Sequence, residues 1–159
     1  MKKVLIFGNS GSGKSTLAKK LSKLEGLAHL DLDSLAWMEN QPLTRRPLVA
    51  SELEIKNFVS ANEAWVIEGC YSDLLLLATP FANELIFMNL PINICIENAR
   101  QRPWEPHKYP SKKAQDANLD MLIDWIEQYE TRDDTFSAKA HKALYDNFAG
   151  TKTEIVINQ

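Results

Sequence analysis

Gly8-Asn9-Ser10-Gly11-Ser12-Gly13-Lys14-Ser15 satisfies the pattern GxxxxGK[ST] at every fixed position and lies directly after the apolar run Val4-Leu5-Ile6-Phe7. The chemistry such a segment suits is the binding of polyphosphate. Its glycines let successive backbone N–H groups face inward, and the concavity they form at the N-terminus of the next helix attracts anions. In this reading the residues from Gly8 to Thr16 hold a nucleoside triphosphate. Lys14 reaches the β- and γ-phosphates, the Ser15 hydroxyl is a ligand of Mg²⁺, and Thr16 adds a hydroxyl near the α- and β-phosphates. The rival pattern is a dinucleotide fingerprint, with Gly11-Ser12-Gly13 followed by Asp31 and Asp33 in place of the ribose-binding acid. It fits less well, because its third small residue would fall on Thr16 and a lysine would sit inside the tight turn.

Further residues with chemical potential follow at the ends of apolar runs. Leu27 to Leu32 reads as a strand whose end carries Asp31 and Asp33, and in an open parallel sheet ligands bind at the carboxyl ends of strands. A turn cap is the alternative role for either aspartate. Trp65-Val66-Ile67 reads as another strand, ended by Glu68-Gly69-Cys70-Tyr71. An acid in that position suits the shell of Mg²⁺, which makes Glu68 a metal candidate beside Ser15 and Asp31. Gly69 would let a ligand approach the backbone. Cys70 reads as a pocket or core thiol, having no adjacent histidine or cation to activate it.

Two stretches lack a period. Between Ser34 and Pro47, Trp37, Arg45 and Arg46 stand in a segment able to fold over an acceptor, part of a covering region of about 34–62; paired arginines suit an anionic group. Residues 100 to 113 carry Arg100, Arg102, Lys108, Lys112 and Lys113 against the single acid Glu105, and Pro103, Pro106 and Pro110 keep them out of a helix. A basic flap of this kind, about 100–115, serves phosphoryl transfer by bringing cations onto the migrating group and excluding water.

Around these segments the chain alternates strand and helix patterns. Leu17, Leu21 and Leu24 form a stripe on the helix that follows the phosphate loop, stopped by Gly26. A helix from Pro47 to about Ala61 carries Val49, Leu53, Ile55, Phe58 and Val59 roughly on a face. A short helix spans Asp73 to Ala78, a strand Leu85 to Leu90, and a helix opening at Pro91 puts Ile92, Cys95, Ile96 and Ala99 on one side. Leu119, Leu122, Ile123 and Ile126 mark another helix, and Phe136, Ala140, Leu144 and Phe148 one more, before a fifth strand at Glu154 to Asn158. Five strands with helices between them make an α/β fold, a parallel sheet covered on both faces.

With 159 residues the chain is expected to be a single domain spanning 1–159, and a formal charge of −3 gives no general affinity for nucleic acid. Cys70 and Cys95 have no disulfide-framework spacing and read as reduced thiols of a cytoplasmic protein. No stretch has membrane-spanning length, and no room for a cleaved leader precedes the first strand.

Taken together these motifs resemble the nucleoside and nucleotide kinase branch of the phosphate-loop fold, with adenylate kinase and shikimate kinase as familiar members. Closest in pattern is a small adenylate-kinase-like group often labelled DNA topology modulation protein. The residues that carry the resemblance are Gly8 to Ser15, His29-Leu30-Asp31 with Trp37, Trp65 to Ser72, and Arg100 with Arg102. It implies strand order 2-3-1-4-5 and a short lid. It further implies that Asp31 serves Mg²⁺ and Asp33 orients the acceptor hydroxyl, with Arg100 or Arg102 steadying the migrating group. AMP is disfavoured as acceptor, because the arginine that adenylate kinases carry just after the glycine matching Gly69 is missing. The expected function is transfer of the γ-phosphoryl of ATP, with Mg²⁺, to a small, anionic acceptor, a nucleotide, nucleoside or metabolite, by a monomer or homodimer. A regulatory nucleotide-binding protein or slow ATPase is the alternative.

Overall fold

The computed structural model describes residues 1–159, the side chain of Pro42 excepted. Its sheet is built from β1 (Lys3–Gly8), β2 (Ala28–Asp31), β5 (Trp65–Gly69), β6 (Glu84–Met88) and β7 (Thr151–Ile155). These run parallel in the order β2-β5-β1-β6-β7. Counted along the chain, that is 2-3-1-4-5, as expected. Successive side chains of a strand leave on opposite faces, and both faces of a parallel sheet are buried. Leu5, Phe7, Trp65, Ile67, Leu85 and Phe87 therefore join one core with Ile55, Leu74, Leu75 and Leu144, from α3 (Leu48–Ala61), α4 (Ser72–Ala78) and α8 (Ala138–Asn147). Val4, Ile6, Val66, Ile86 and Met88 join the opposite core with Ala18, Cys95, Ala99 and Ile126, from α1 (Lys14–Glu25), α5 (Ile92–Arg100) and α7 (Leu119–Glu127).

Several elements differ from their sequence pattern. The stretch after Asp33 is not irregular: it forms α2 (Asp33–Ala36) and an antiparallel hairpin of β3 (Trp37–Met38) and β4 (Gln41–Arg45). In α3 the side chains turned inward are Ser51 and Ile55, while Val49 and Leu53 are exposed, because the helix buries only a narrow stripe against the sheet. In α1 the fully buried residue is Ala18 and Leu24 is exposed; Gly26 ends the helix in the left-handed conformation, its N–H bonded to the Ser22 carbonyl. The last strand lies three residues earlier than its apolar run: Thr151–Ile155 pairs with β6, and Val156 and Ile157 are exposed. An edge strand with one neighbour has little burial to offer, so hydropathy did not mark it. A further short helix, α6 (Lys112–Ala117), is capped by Ser111, whose hydroxyl accepts the Ala114 N–H. Among the described residues no helix is long and apolar enough to cross a membrane.

Candidate active site

The loop between β1 and α1 opens into a cavity of about 820 Å³ at the carboxyl end of the sheet. Two glycines are required by its backbone. Gly11 has φ +77° and a Cβ there would lie 2.3 Å from the Cys95 carbonyl oxygen; Gly13, at φ +90°, turns the chain into α1. Two asparagines tie the loop down: Asn9 Nδ2 donates to the Ile126 carbonyl at 3.2 Å, and Asn98 Nδ2 to the Gly11 carbonyl at 2.8 Å. Asn9 is buried, and with Gly8 it stays behind the cavity wall, which begins at Ser10 and runs through Gly11, Ser12, Gly13, Lys14, Ser15 and Thr16. Lys14 arches back over the loop, its Nζ donating to the Asn9 carbonyl at 2.8 Å.

Three carboxylates face this loop. Glu68 stands one residue before the end of β5, in register with Asp31 at the end of β2, so the two sit side by side. Only 1% of Glu68 is exposed; its Oε1 accepts the Ser15 hydroxyl at 3.0 Å and its buried Oε2 has no partner. Burial, then the nearby Asp31 charge, push the Glu68 carboxyl up to about 7, against the pull of Lys14 and Ser15. Asp31 lines the cavity while its Oδ1 accepts the Asp33 N–H at 2.9 Å, so it also makes the turn that aims Asp33. Asp33, 41% exposed, has both oxygens engaged: Oδ1 accepts the Tyr71 hydroxyl and Oδ2 accepts Lys108 Nζ at 2.9 Å. Desolvation in the cleft raises its pKa, but Lys108, the Tyr71 hydrogen bond and Lys14 outweigh this and hold the carboxyl below the usual range. The same pairing holds the Lys108 ammonium above the ordinary lysine range although burial opposes it. Tyr71 is pushed up, by burial first and then by Asp33.

The rest of the wall was largely missed by sequence reasoning. Among the described residues of the segment 34–62 only Trp37 reaches the cavity; the other aromatic surfaces are Tyr71, Tyr109, Trp125 and Phe136. Trp37 Nε1 donates to the Tyr71 hydroxyl at 2.8 Å. Trp125 had been readable only as one residue of an amphipathic helix, and no local signal joined it to Phe136. Arg45 and Arg46 lie outside the wall. Arg45 Nη2 reaches both Asp73 oxygens at 3.1 and 3.2 Å and its guanidinium stacks over Tyr71, while Arg46 pairs with Glu54 at 2.9 Å. Gly69 lines the cavity, but a Cβ on it would meet the Leu32 Cβ at 2.9 Å, so the glycine makes room for Leu32.

The basic flap is organised around its one acid. Glu105 takes Arg102 at 3.3 Å and Lys108 at 3.6 Å, and its N–H donates to Gln115 Oε1 at 2.8 Å. Arg102 and Lys108 line the main cavity; Arg100 is exposed and lies instead at a separate small side cavity. Cys70 is pushed up to about 12 by burial, which leaves it an inert thiol.

A family model described as AAA domain, AAA_18, matches residues 4–119, the greater part of the chain. The chain belongs to this family. The AAA_18 match takes in the phosphate loop, the three carboxylates and the flap, and stops short of Trp125 and Phe136. Among curated proteins, an uncharacterized protein of Bacillus subtilis (strain 168), YqaC, is 29% identical over 109 residues, which cover 65% of this chain and 58% of that protein. The matched region thus spans little more than half of that relative's length. Similar solved structures include a sugar kinase from Janibacter sp. HTCC2649 (TM-score 0.54, 14% identity, 100% of this chain and 87% of that one). A gluconokinase from Sinorhizobium meliloti 1021 superposes with TM-score 0.52 at 16% identity over 99% and 84% of the two chains. A deoxyadenosine kinase from M. mycoides with bound dATP gives 0.50 at 12% identity over 97% and 90%. The architecture of this AAA_18 member is that of the phosphate-loop kinases.

Proposed function

We propose that this protein is a Mg²⁺-dependent phosphotransferase that moves the γ-phosphoryl of ATP to a hydroxyl of a small acceptor. The observation that carries the reading is the meeting, in one cavity, of the phosphate loop with the Ser15–Glu68 pair on one side and Asp33 on the other. Lys14 and the loop N–H groups would hold the β- and γ-phosphates where charge develops during transfer. The donor set fits Mg²⁺: Ser15 Oγ, Glu68 and Asp31 are hard oxygen ligands, and the buried Glu68 Oε2 is left without a partner. When bound, the ion supplies charge neutralisation of the phosphate oxygens. Asp33, held ionised by its neighbours, is suited to orient an attacking hydroxyl, and Arg102 and Lys108 of the lid supply cations over the reaction centre. The unpaired thiols Cys70 and Cys95 suit a reducing, cytoplasmic setting.

Lys14→Ala tests the reading. The variant is expected to fold, since alanine favours the helix, and to lose at least about a hundredfold in transfer rate. Undiminished ADP release with the alanine variant would sink it.

A further inference from the structure

The two oxygens of Asp33 are held by different kinds of partner, and on the kinase reading of this cavity the difference decides which of them works. On Oδ1 the partner is the hydroxyl of Tyr71, a residue only 3% exposed. An ionised carboxylate can only accept, so the hydroxyl donates to it; the indole N–H of Trp37 can only donate, so the Tyr71 oxygen accepts it, at 2.8 Å. The hydrogen bonds thus run one way, from Trp37 through Tyr71 to Asp33. The chain on either side of Tyr71 is tied down: the Cys70 carbonyl accepts His141 Nε2 at 2.8 Å, and the Ser72 N–H donates to the Thr135 carbonyl at 3.1 Å. Its ring meets Phe136 edge to face at 5.3 Å and lies 5.0 Å from the Arg45 guanidinium, which Asp73 and the Ala36 carbonyl fix in turn. On Oδ2 the partner is Lys108 at 2.9 Å, a flexible side chain of the flap that Glu105 also draws, at 3.6 Å.

A buried ring fixed by packing cannot give way to a ligand without unpacking the wall, whereas an ammonium on a four-carbon stem can swing aside. Oδ2 is therefore the oxygen that an incoming hydroxyl can reach. The backbone of Asp33 is already set, since it opens α2 with its N–H bonded to Asp31 Oδ1 at 2.9 Å, but that bond leaves the side chain free to turn. We propose that Tyr71, itself set by Trp37, is a positioning residue of the transfer: it locks the Asp33 carboxylate through Oδ1 so that Oδ2 is presented to the attacking hydroxyl. Arg45, which the sequence offered as a ligand of the acceptor, serves the same end by bracing the Tyr71 ring. A catalytic group works only when held close to its productive geometry, and the carboxylate of Asp33 has no other neutral partner that could hold it there.

The test is a mutant cycle on the full chain, read as turnover of radiolabelled MgATP, alone and with nucleosides, nucleoside monophosphates or gluconate as hydroxyl compounds. Tyr71→Phe keeps the ring and removes the hydroxyl. It is expected to lower kcat about ten- to a hundredfold, the worth of a hydrogen bond to a charged group, while the KM for ATP stays within about twofold. Trp37→Phe, one step further from the carboxylate, should lower kcat about two- to tenfold. In an Asp33→Ala background nothing is left to hold, and Tyr71→Phe should change the remaining turnover by less than about twofold. The Trp37 indole N–H resonance, identified by its loss in Trp37→Phe, should shift in Tyr71→Phe; a resonance that stays in place overturns the chain of hydrogen bonds and the proposal with it. Equal losses in the two backgrounds, or no loss from Tyr71→Phe in the parent, overturn the proposal and leave the kinase reading standing. Full activity in Asp33→Ala overturns the proposal together with the role of Asp33, and a parent chain that turns over no ATP under any of these conditions overturns the kinase reading and the proposal together.

Discussion

Asp31, Asp33 and Glu68 stand within reach of the same phosphate loop, and their surroundings divide the work among them. Glu68 is sealed from water beside a hydroxyl and another acid, so its charge is costly until a cation arrives; Asp33 is kept ionised by a lysine and a tyrosine. A Mg²⁺ series on three variants separates the roles. Asp33→Asn is expected to lower turnover about a hundredfold to ten-thousandfold at every Mg²⁺ concentration, as for a positioned acid–base group. Asp31→Asn and Glu68→Gln should instead raise the Mg²⁺ requirement and recover much of their rate in excess Mg²⁺. If Asp33→Asn keeps acceptor-dependent turnover, its carboxylate serves the fold and not the reaction. The phosphate loop and the three acids were legible in the sequence because each is a local signal, a motif or an acid closing an apolar run. The partners of Asp33 were not, since Tyr71 and Lys108 lie 38 and 75 positions away. Arg45 and Arg46 read as open anion ligands for the same reason: Asp73, which binds Arg45, is 28 residues on, and composition does not say which charges meet.

Among the elements, the lid behaves least as its charge count suggested. Fixed cations so close in sequence would repel one another without a counter-charge. Glu105 instead gathers Arg102 and Lys108, and Gln115 ties the start of the flap to α6 by accepting the Glu105 N–H and donating to the Pro103 carbonyl at 3.1 Å. Each such pair on a half-exposed loop contributes about 0.2–1 kcal/mol. Glu105→Gln is therefore expected to leave the melting temperature nearly unchanged while speeding amide exchange between residues 101 and 115, and exchange that stays as slow as in the parent chain would show that the brace is unimportant. MgATP should slow exchange in the same segment of the parent chain, because phosphates offer its cations a second set of partners. Sequence reading found the flap through its charge and prolines. It missed the β3–β4 hairpin, in which Trp37 packs on the core while Met38 and Leu43 are exposed, so no period marks it.

For the whole molecule, the packing of α8 on the sheet predicts how the fold responds to acid. His141 is fully buried against Phe7 and Phe87, and its two nitrogens are both used. Nε2 donates to the Cys70 carbonyl, which can only accept, and in the neutral ring that burial favours Nδ1 accepts the Tyr129 hydroxyl. Burial holds its pKa down to about 4, whereas in the unfolded chain it titrates near 6.5. Between those values the unfolded chain binds the extra proton, so stability falls as pH falls from about 6.5 to about 4, by about 3 kcal/mol in all. Denaturant midpoints across that range check this; His141→Gln should flatten the slope, and an equal slope in the variant would assign the acid sensitivity to other groups. A different consequence follows from strand order. β1 is the central strand, yet its neighbours β5 and β6 lie some sixty and eighty residues later, and β2 too waits for β5. During synthesis at about 5–20 residues per second, β1 and β2 remain without partners for several seconds, both with open edges. The chain's most hazardous moment in the cell is thus its own birth: a ribosome-arrested chain that has exposed residues 1–60 should be cut readily by protease, and resistance should appear only once Trp65 to Met88 have emerged.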